Sequence, residues 1–447
     1  MDDASFLPKP LPPKPRRRGQ TRTNRERRGL QPSVPPSQLQ EPPTLEVDPG
    51  TLSLGQTLIS ILDLGCGHPG SDQTLNQWRH HQWQSISFQE LRQGVEEIAL
   101  GLRSLGVQSG DRIPLVMHSD GDFCRVDLGS LLAGAVNVPV DLTQTIENIL
   151  FILNNTQAKV MVISDLALLD QLVPYLWEAS ALERIIVAQV PADWVKVRTS
   201  LTHQPQASSS LTHEVPTPWE CLYIPQLLGD APTEDHGARS VPPCIQLMSL
   251  GEVQDRGHRE WSPAAVATLR SAIAPGDLAT IIYIASETPR LKGVMLTHEN
   301  ISANALTAFS SFPNLQTGAE EVALLFLPLT HIFARVFLYG HLAYGHTIYL
   351  SDPNHLIKHL QRVRPTLMIT VPRLLEKVYE RLLERSTRLK GVDHRVVAWA
   401  WKLAQRYDLE RSPQGLYALQ LQLADRLVFS KWRAGFGGRL KTPIFGG

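Results

Sequence analysis

A short polar loop carrying one lysine lies between two apolar runs in the second half of the chain. The segment Asp277–Asn300 is DLATIIYIASETPRLKGVMLTHEN, and its part Leu278–Ala285 predicts a buried strand because isoleucine and tyrosine favour strands. Thr297, with Asn300 three residues later, predicts the start of a helix. The backbone N–H groups of a tight turn and one ammonium, here that of Lys292, can surround an anion. The spacing therefore predicts a phosphate-binding turn.

This segment resembles the signature of the AMP-forming acyl-activating enzymes (the AMP-dependent synthetase/ligase family). That family has the loop Y-T-S-G-T-T-G-x-P-K-G-V, followed by M-L-T-H-x-N. Ten residues stand in register with the pattern: Tyr283, Thr288, Lys292, Gly293, Val294, Met295, Leu296, Thr297, His298 and Asn300. The resemblance implies nucleotide binding by Thr288, Lys292 and Gly293.

The centre of the loop departs from the family pattern at five positions. Ala285 replaces Ser, Ser286 replaces Gly, Glu287 replaces Thr, Pro289 replaces Gly and Leu291 replaces Pro. Glycine lets a backbone turn with positive φ and approach an anion, and proline also lacks an N–H donor. At ~4 Å and an effective dielectric of ~20 to 80, the repulsion between the Glu287 carboxylate and a phosphate charge costs about 1–4 kcal/mol. We therefore expect weak phosphate binding.

A second segment, LPLTHIFAR, follows a predicted strand over 322–327. His331 would lie at the carboxyl end of that strand, where α/β proteins usually bind ligands. The segment resembles L-P-L-x-H-x-x-x-R of the long-chain branch, which implies substrate binding by His331 and Arg335. The later stretch PTLMITVPRLLEKVY, over 365–379, is similar to long-chain fatty acyl-CoA and acyl-carrier-protein synthetases.

The sequence given ends in a predicted strand and the pair Gly446-Gly447. In the family a similar strand and glycine pair form part of the adenine site, which implies nucleotide binding by both glycines. The family's later Y-G-x-T-E segment, ribose-binding aspartate, hinge and C-terminal domain with its catalytic lysine have no counterpart before residue 447. We therefore expect a truncated or split product that makes no acyl-adenylate by itself.

From residue 86 onward, predicted strands alternate with predicted helices, which is typical of βαβ units. The expected fold is α/β, with doubly wound, mostly parallel sheets in two adjacent subdomains, as in the large N-terminal domain of the acyl-activating fold, here incomplete. The expected divisions are a disordered basic and Pro-rich tail over 1–50, the first part of the AMP-binding domain over 51–190, a loop-rich insertion over 191–262, and the rest of that domain, with the loop 283–294, over 263–447.

Composition limits the possible partners and the compartment. Lys+Arg and Asp+Glu both number 43, so the global charge gives no reason to expect a nucleic-acid partner. Four cysteines without C-x-x-C spacing argue against a zinc site and favour a reducing, cytoplasmic compartment. The stretch Lys9–Arg28 holds nine Lys/Arg and one acid, which fits either a solvated tail or peripheral contact with a membrane. The histidines of the insertion lack the spacing of metal ligands.

Three functional hypotheses remain open. The first is a long-chain fatty acid ligase that uses ATP and Mg²⁺ and transfers the acyl group to CoA or acyl carrier protein, with impaired activity and a separate C-terminal fragment as partner. The second is a non-catalytic member that binds a fatty acid or a partner. The third is a methyltransferase, because ILDLGCGHPG over 61–70 resembles a glycine-rich S-adenosylmethionine motif; no acid follows at the expected distance.

Overall fold

A computed structural model describes residues 56–66, 74–195, 198, 221–222, 245–285, 290–312, 315–374, 376, 380, 384, 391–408 and 413–445. The tail over 1–50 and most of the predicted insertion lie outside these residues. The strands are β1 Leu75–Arg79, β2 Gln82–Ile86, β3 Arg112–Val116, β4 Val136–Pro139, β5 Val160–Asp165, β6 Arg184–Gln189, β7 Cys221–Leu222, β8 Ile245–Ser249, β9 Leu278–Ile284, β10 Lys292–Thr297, β11 Val322–Leu325, β12 Thr347–Leu350, β13 Leu367–Thr370 and β14 Thr442–Phe445.

Most of the helices connect these strands. The α-helices are Leu58–Cys66, Phe88–Ser104, Gly121–Leu132, Ile146–Thr156, Leu166–Leu172, Leu250–Glu260, Pro263–Ser271, His298–Ser310, Ile332–Ala343, Leu356–Val363, Gly391–Gln405, Gly415–Ala424 and Ser430–Gly435. A 3₁₀ turn covers Val173–Glu178 and a π turn covers Asp425–Phe429. Among the described residues, no helix is both long and apolar enough to cross a bilayer.

The strands form two mostly parallel sheets, which confirms the predicted α/β class. The six-stranded sheet has the order β14-β13-β11-β12-β1-β2, and the eight-stranded sheet has the order β10-β9-β4-β3-β5-β6-β8-β7. Only the pairs β1/β2, β9/β10 and β7/β8 are antiparallel among the described strands. The amino-terminal hairpin β1–β2 thus joins a sheet whose other strands come from the last third of the chain.

One hydrophobic core contains residues of both sheets and of the helices beside them. Leu325 and Ile348 belong to the six-stranded sheet, Leu115 and Val162 belong to the eight-stranded sheet, and all four are at most 2% exposed. Separate clusters cover the outer face of each sheet, and a fourth small core holds the helices of residues 391–435 together. The two sheets are therefore packed through shared helices, and their strand ends can form one site.

Two sequence interpretations change at this level. Within the predicted insertion 191–262, β8 pairs with β6, and the helix Leu250–Glu260 packs on the helix Phe88–Ser104. Those residues belong to the framework of the fold. Residues 61–66 of the glycine-rich motif at 61–70 lie in the helix Leu58–Cys66, where a methyltransferase motif needs a strand, and its residues 67–70 lie outside the described residues.

Candidate functional site

A cavity of about 520 Å³ lies where strands of both sheets end. Its lining comes from the carboxyl ends of the parallel strands β1, β3, β4, β6, β11 and β12 and from the loops that follow them. These residues are Gln77–Arg79, Met117–Asp120, Asp141–Thr143, Gln189, Phe326, Pro328, Thr330 and Leu350–Pro353. The carboxyl edge of a parallel sheet is the usual place for a ligand in an α/β fold. Two such edges face each other here.

His331 lies beside two residues that line this cavity, Thr330 and Asp141, and connects loops of the two sheets. It is the residue before the helix Ile332–Ala343, its side chain is 62% exposed, and its Nε2 is 3.3 Å from Asp141 Oδ2. The Thr330 hydroxyl donates to the same carboxylate oxygen at 3.4 Å, and the Leu329 N–H donates to Ser119 Oγ at 2.8 Å. The loop after β11 is thereby tied to the loops after β3 and β4.

The Asp141 carboxyl is held in its charged form. Burial would raise its pKa, but hydrogen bonds from the Thr143 hydroxyl at 2.7 Å and N–H at 2.8 Å, with His331 close by, hold the pKa below its ordinary value. A charged carboxylate beside an exposed imidazole can accept a hydrogen bond from the ring N–H and so orient the ring. Asp141 was not singled out in the sequence, since it gains meaning only through the loop that faces it.

A cluster of charged residues forms another wall of the cavity. Arg79 Nη2 is 2.8 Å from Asp120 Oδ2 and 2.5 Å from Asp122 Oδ2, and Gln189 Nε2 donates to Asp120 Oδ2 at 2.8 Å. Burial and the charge of Asp122 raise the pKa of the Asp120 carboxyl despite the nearby guanidinium. Because two carboxylates already surround Arg79, this wall offers an incoming anion no uncompensated positive charge. Sequence reasoning missed these residues; the only local signal was the helix cap at Asp120.

The predicted phosphate loop connects β9 to β10 at one edge of the eight-stranded sheet. Lys292 pairs with Ile284 and is exposed, and Gly293 pairs with Tyr283. Residues 286–289, including Thr288, lie outside the described residues. β9 runs parallel to β4, so the loop leaves the sheet at the same edge as the segment that carries Asp141. The loop and His331 therefore belong to one side of the molecule, although Lys292 does not line the cavity.

Arg335, the other residue expected to bind substrate, lies in the core and does not line the cavity. It is fully buried, its Nη2 is 2.5 Å from Asp127 Oδ1 and 2.9 Å from the Tyr339 hydroxyl, and its Nη1 donates to Thr280 Oγ1 at 2.9 Å. Burial would lower the pKa of the guanidinium, but the carboxylate of Asp127 raises it. One helical turn after His331, the side chain points into the core. Gly446 and Gly447 lie outside the described residues.

Comparisons with known proteins agree with this architecture. A family model described as AMP-binding enzyme matches residues 67–411. A long-chain-fatty-acid–CoA ligase of Mycobacterium bovis (FadD15) is 27% identical over 371 residues, which cover 82% of this chain and 52% of the relative. A long-chain-fatty-acid–CoA ligase of Xenopus laevis (ACSBG2) is 22% identical over 80% of this chain and 42% of its own. The chain spans about half the length of the curated relatives it matches.

Two solved structures share the fold. The adenylation domain of a carboxylate reductase from Mycobacterium chelonae is 21% identical with a TM-score of 0.59, covering 89% of this chain and 55% of that one. The A-PCP didomain of a carboxylic acid reductase from Segniliparus rugosus, in complex with AMP, is 19% identical with a TM-score of 0.62, covering 88% of this chain and 49% of that one. At these identities the likeness concerns the fold alone.

Proposed function

Because the chain belongs to the AMP-binding enzyme family, we propose that it activates a long-chain fatty acid with ATP and passes the acyl group to a thiol. In the first step a carboxylate oxygen attacks the α-phosphorus and pyrophosphate leaves. In the second step the thiol of CoA or of an acyl carrier protein attacks the acyl carbonyl and AMP leaves. The relatives in the comparison are long-chain-fatty-acid–CoA ligases, which supports the choice of acid.

The observation that carries this proposal is the common edge of the phosphate loop and the cavity. The loop after β9 and the Asp141 segment after β4 leave neighbouring parallel strands, and Asp141 contacts His331 from the opposite sheet. In the proposed reaction the acid enters the cleft, and His331, oriented by Asp141, contacts its carboxylate. Lys292 approaches the phosphates from the edge strand. Bound ATP supplies the AMP that turns the carboxylate into a reactive acyl donor.

The residues of the loop fit the phosphates of ATP only in part. Lys292 is exposed, and a Cβ at Gly293 would lie 2.9 Å from the Ile281 side chain, so a larger residue there would require Ile281 to shift. Glu287, however, adds a negative charge, and Pro289 supplies no N–H donor. We therefore propose a weak nucleotide site in this chain, with Mg²⁺ entering as the ATP complex.

A second function, non-catalytic binding of a fatty acid or a protein partner, is favoured by the same loop. Ser286 and Pro289 stand where the family has glycine, and both hinder the turn that brings backbone donors to an anion. A cavity without an effective phosphate loop can still hold an acyl chain. The two functions differ in whether nucleotide binding can be restored by changing the loop alone.

Calorimetry with Mg-ATP and a long-chain acid tests this directly. We expect the parent to bind ATP weakly, and a Lys292→Ala control to bind it more weakly still. Glu287→Thr should raise the affinity for ATP by up to roughly 1,000-fold, since ~1–4 kcal/mol of repulsion between the Glu287 carboxylate and the phosphates disappears. Adding Ala285→Ser, Ser286→Gly, Pro289→Gly and Leu291→Pro should raise it further. If neither variant binds ATP more tightly than the parent, although the circular dichroism spectra of both match that of the parent, the ligase hypothesis is wrong.

Acid binding is measured separately with a fluorescent long-chain fatty acid. His331→Ala should weaken it, and His258→Ala is the matched control. His258 is also an exposed histidine beside a carboxylate, 2.9 Å from Glu97, but it lies on the helix Leu250–Glu260 and does not line the cavity. Acid binding that survives in the parent and the loop variants without any ATP binding would favour the non-catalytic function. Equal loss in both histidine variants would show that the cleft is not the acid site.

A further inference from the structure

A row of exposed leucines runs along the helical segment near the end of the chain. Leu416, Leu419, Leu423 and Leu427 are 78, 63, 52 and 43% exposed, and their spacing of three, four and four residues places them on one side of the helix. We call these four residues the leucine face. An amphipathic helix in a globular protein normally turns such a stripe inward.

The same segment already buries a different face. Ala424 and Val428 pack with Ala400 and Leu403 of the helix Gly391–Gln405, and all four are at most 4% exposed. The leucine face is therefore not the side by which this segment joins the protein. The run between residues 415 and 435 also contains a π turn, Asp425–Phe429, and such turns occur frequently at functional sites.

The charges beside the leucine face are positive. Arg426 follows Leu423 by three residues, Lys431 follows Leu427 by four, and both are exposed. The single acid between 415 and 435 is Asp425, and its carboxylate oxygens are 2.5 and 2.8 Å from the two guanidinium nitrogens of Arg433. No described carboxylate forms an ion pair with Arg426 or Lys431. An apolar strip with basic neighbours matches a surface that is apolar inside and anionic at its boundary.

A second copy of the chain fits this surface less well. The exposed parts of four leucines amount to only a few hundred Å². Two copies joined through them would bury about twice that area, whereas stable protein interfaces bury ~1,200–2,000 Å². Pairing would also bring two positively charged segments together. A lipid surface needs no matching second patch, and its phosphates compensate the charge of Arg426 and Lys431.

We propose that the leucine face docks the protein on an anionic lipid bilayer. The four leucines enter the boundary between headgroups and acyl chains, and Arg426 and Lys431 contact lipid phosphates. The contact is peripheral and reversible, because four partly exposed leucines and two cations give a modest affinity. The docking surface is separate from the cavity residues and does not depend on the proposed activity.

Flotation of the full chain with vesicles tests this inference. The vesicles are phosphatidylcholine alone, or phosphatidylcholine with phosphatidylglycerol. We expect Leu419→Gln with Leu423→Gln to lower partition onto the anionic vesicles by ~10-fold or more. Arg426→Gln with Lys431→Gln should reduce the preference for anionic over neutral vesicles and leave binding to neutral vesicles unchanged. Every protein keeps its basic amino-terminal stretch, so that contribution is common to all.

The matched control replaces two exposed aromatic residues elsewhere. Tyr175 and Trp177 are 41 and 52% exposed on the 3₁₀ turn Val173–Glu178, and changing both to Gln should leave vesicle binding as in the parent. The inference is overturned if the parent does not float, or if the leucine variant floats like the parent with an unchanged circular dichroism spectrum. It is also overturned if the leucine variant only converts a dimer into a monomer, which would make the face a contact between copies.

Discussion

Replacing Arg335 by methionine distinguishes a substrate contact from a core ion pair. Arg335 and Asp127 are both fully buried, and 2.5 Å separates Arg335 Nη2 from Asp127 Oδ1. The guanidinium also forms hydrogen bonds with Thr280 and Tyr339. Methionine keeps much of the volume and removes the charge. Asp127 is then left charged in the core, with its remaining donors Asn137 and Tyr339. Removing one partner of a buried ion pair lowers the free energy of unfolding by ~3–5 kcal/mol, whereas an exposed ion pair contributes about 0–1 kcal/mol.

Urea unfolding followed by circular dichroism measures this loss. At ~3 kcal/mol per M, a loss of ~3–5 kcal/mol lowers the midpoint by roughly 1 M or more. The double variant Arg335→Met with Asp127→Leu should recover part of the stability, since an apolar pair of similar volume avoids the uncompensated charge. His331→Ala is the control: one helical turn away and exposed, it should change stability by less than ~1 kcal/mol.

The opposite pattern would refute this assignment. If the free energy of unfolding of Arg335→Met lies within ~0.5 kcal/mol of that of the parent, the buried ion pair does not stabilise the fold as its geometry implies. If the variant keeps full stability but loses binding of the long-chain acid, the side chain contacts substrate, as the sequence resemblance suggested. A double variant no more stable than Arg335→Met alone would mean that the charge left on Asp127 is not the cause of the loss.

Two further predictions concern the core away from the cleft. Burial lowers the pKa of His298 to about 4, below its value of ~6.5 in the unfolded chain. The folded state therefore resists protonation, and roughly 3 kcal/mol of stability, present above pH ~6.5, is lost as pH falls to ~4. Urea midpoints between pH 7 and 4 should fall more steeply for the parent than for His298→Gln; equal slopes would contradict the assignment. In the helix Leu250–Glu260, a Cβ at Gly257 would lie 1.7 Å from the Glu97 carbonyl oxygen, whereas a Cβ at Gly251 would lie 3.8 Å from Ser249 Oγ. Gly257→Ala should therefore destabilise the protein by ~1–3 kcal/mol or more, and Gly251→Ala should be neutral or stabilising; similar urea midpoints for the two would show that the helices can separate without cost.

The regular βαβ part of the fold was predictable because its signals are local. The helix Phe88–Ser104 and the strands β3 to β6 follow apolar periodicity and turn residues, and the structure confirms the predicted alternation of strands and helices there. The hairpin β1–β2 was missed because LNQWR and QWQSI are mostly polar and form no recognisable apolar alternation. β1 pairs with β2, which follows it directly, and with β12, about 270 residues later, and no short window contains the second pairing.

The site was predictable only where one residue sits at a strand end within a recognisable segment. His331 meets that condition and lies beside Asp141, which lines the cavity, while its role in binding stays a prediction. Arg335 belongs to the same sequence segment, but it lies in the helix Ile332–Ala343. The direction of a helical side chain depends on what packs against the helix, and the segment alone does not contain that information. Asp141, Arg79 and Asp120 gain their role when loops from different sheets meet, so their importance follows from topology and not from their own neighbours in sequence.

The position of Arg335 also ties the two halves of the proposed site together. Its helix begins one turn earlier at His331, and its Nη1 bonds Thr280 in β9. Four residues after Thr280, roughly 13 Å along the strand, β9 ends at Ile284 and the phosphate loop begins. A single guanidinium thus fixes the helix that presents His331 and the strand that presents the loop. Because both are held from the core, a change at Arg335 should disturb acid and nucleotide binding together, whereas a change at His331 or Lys292 should affect only one of them.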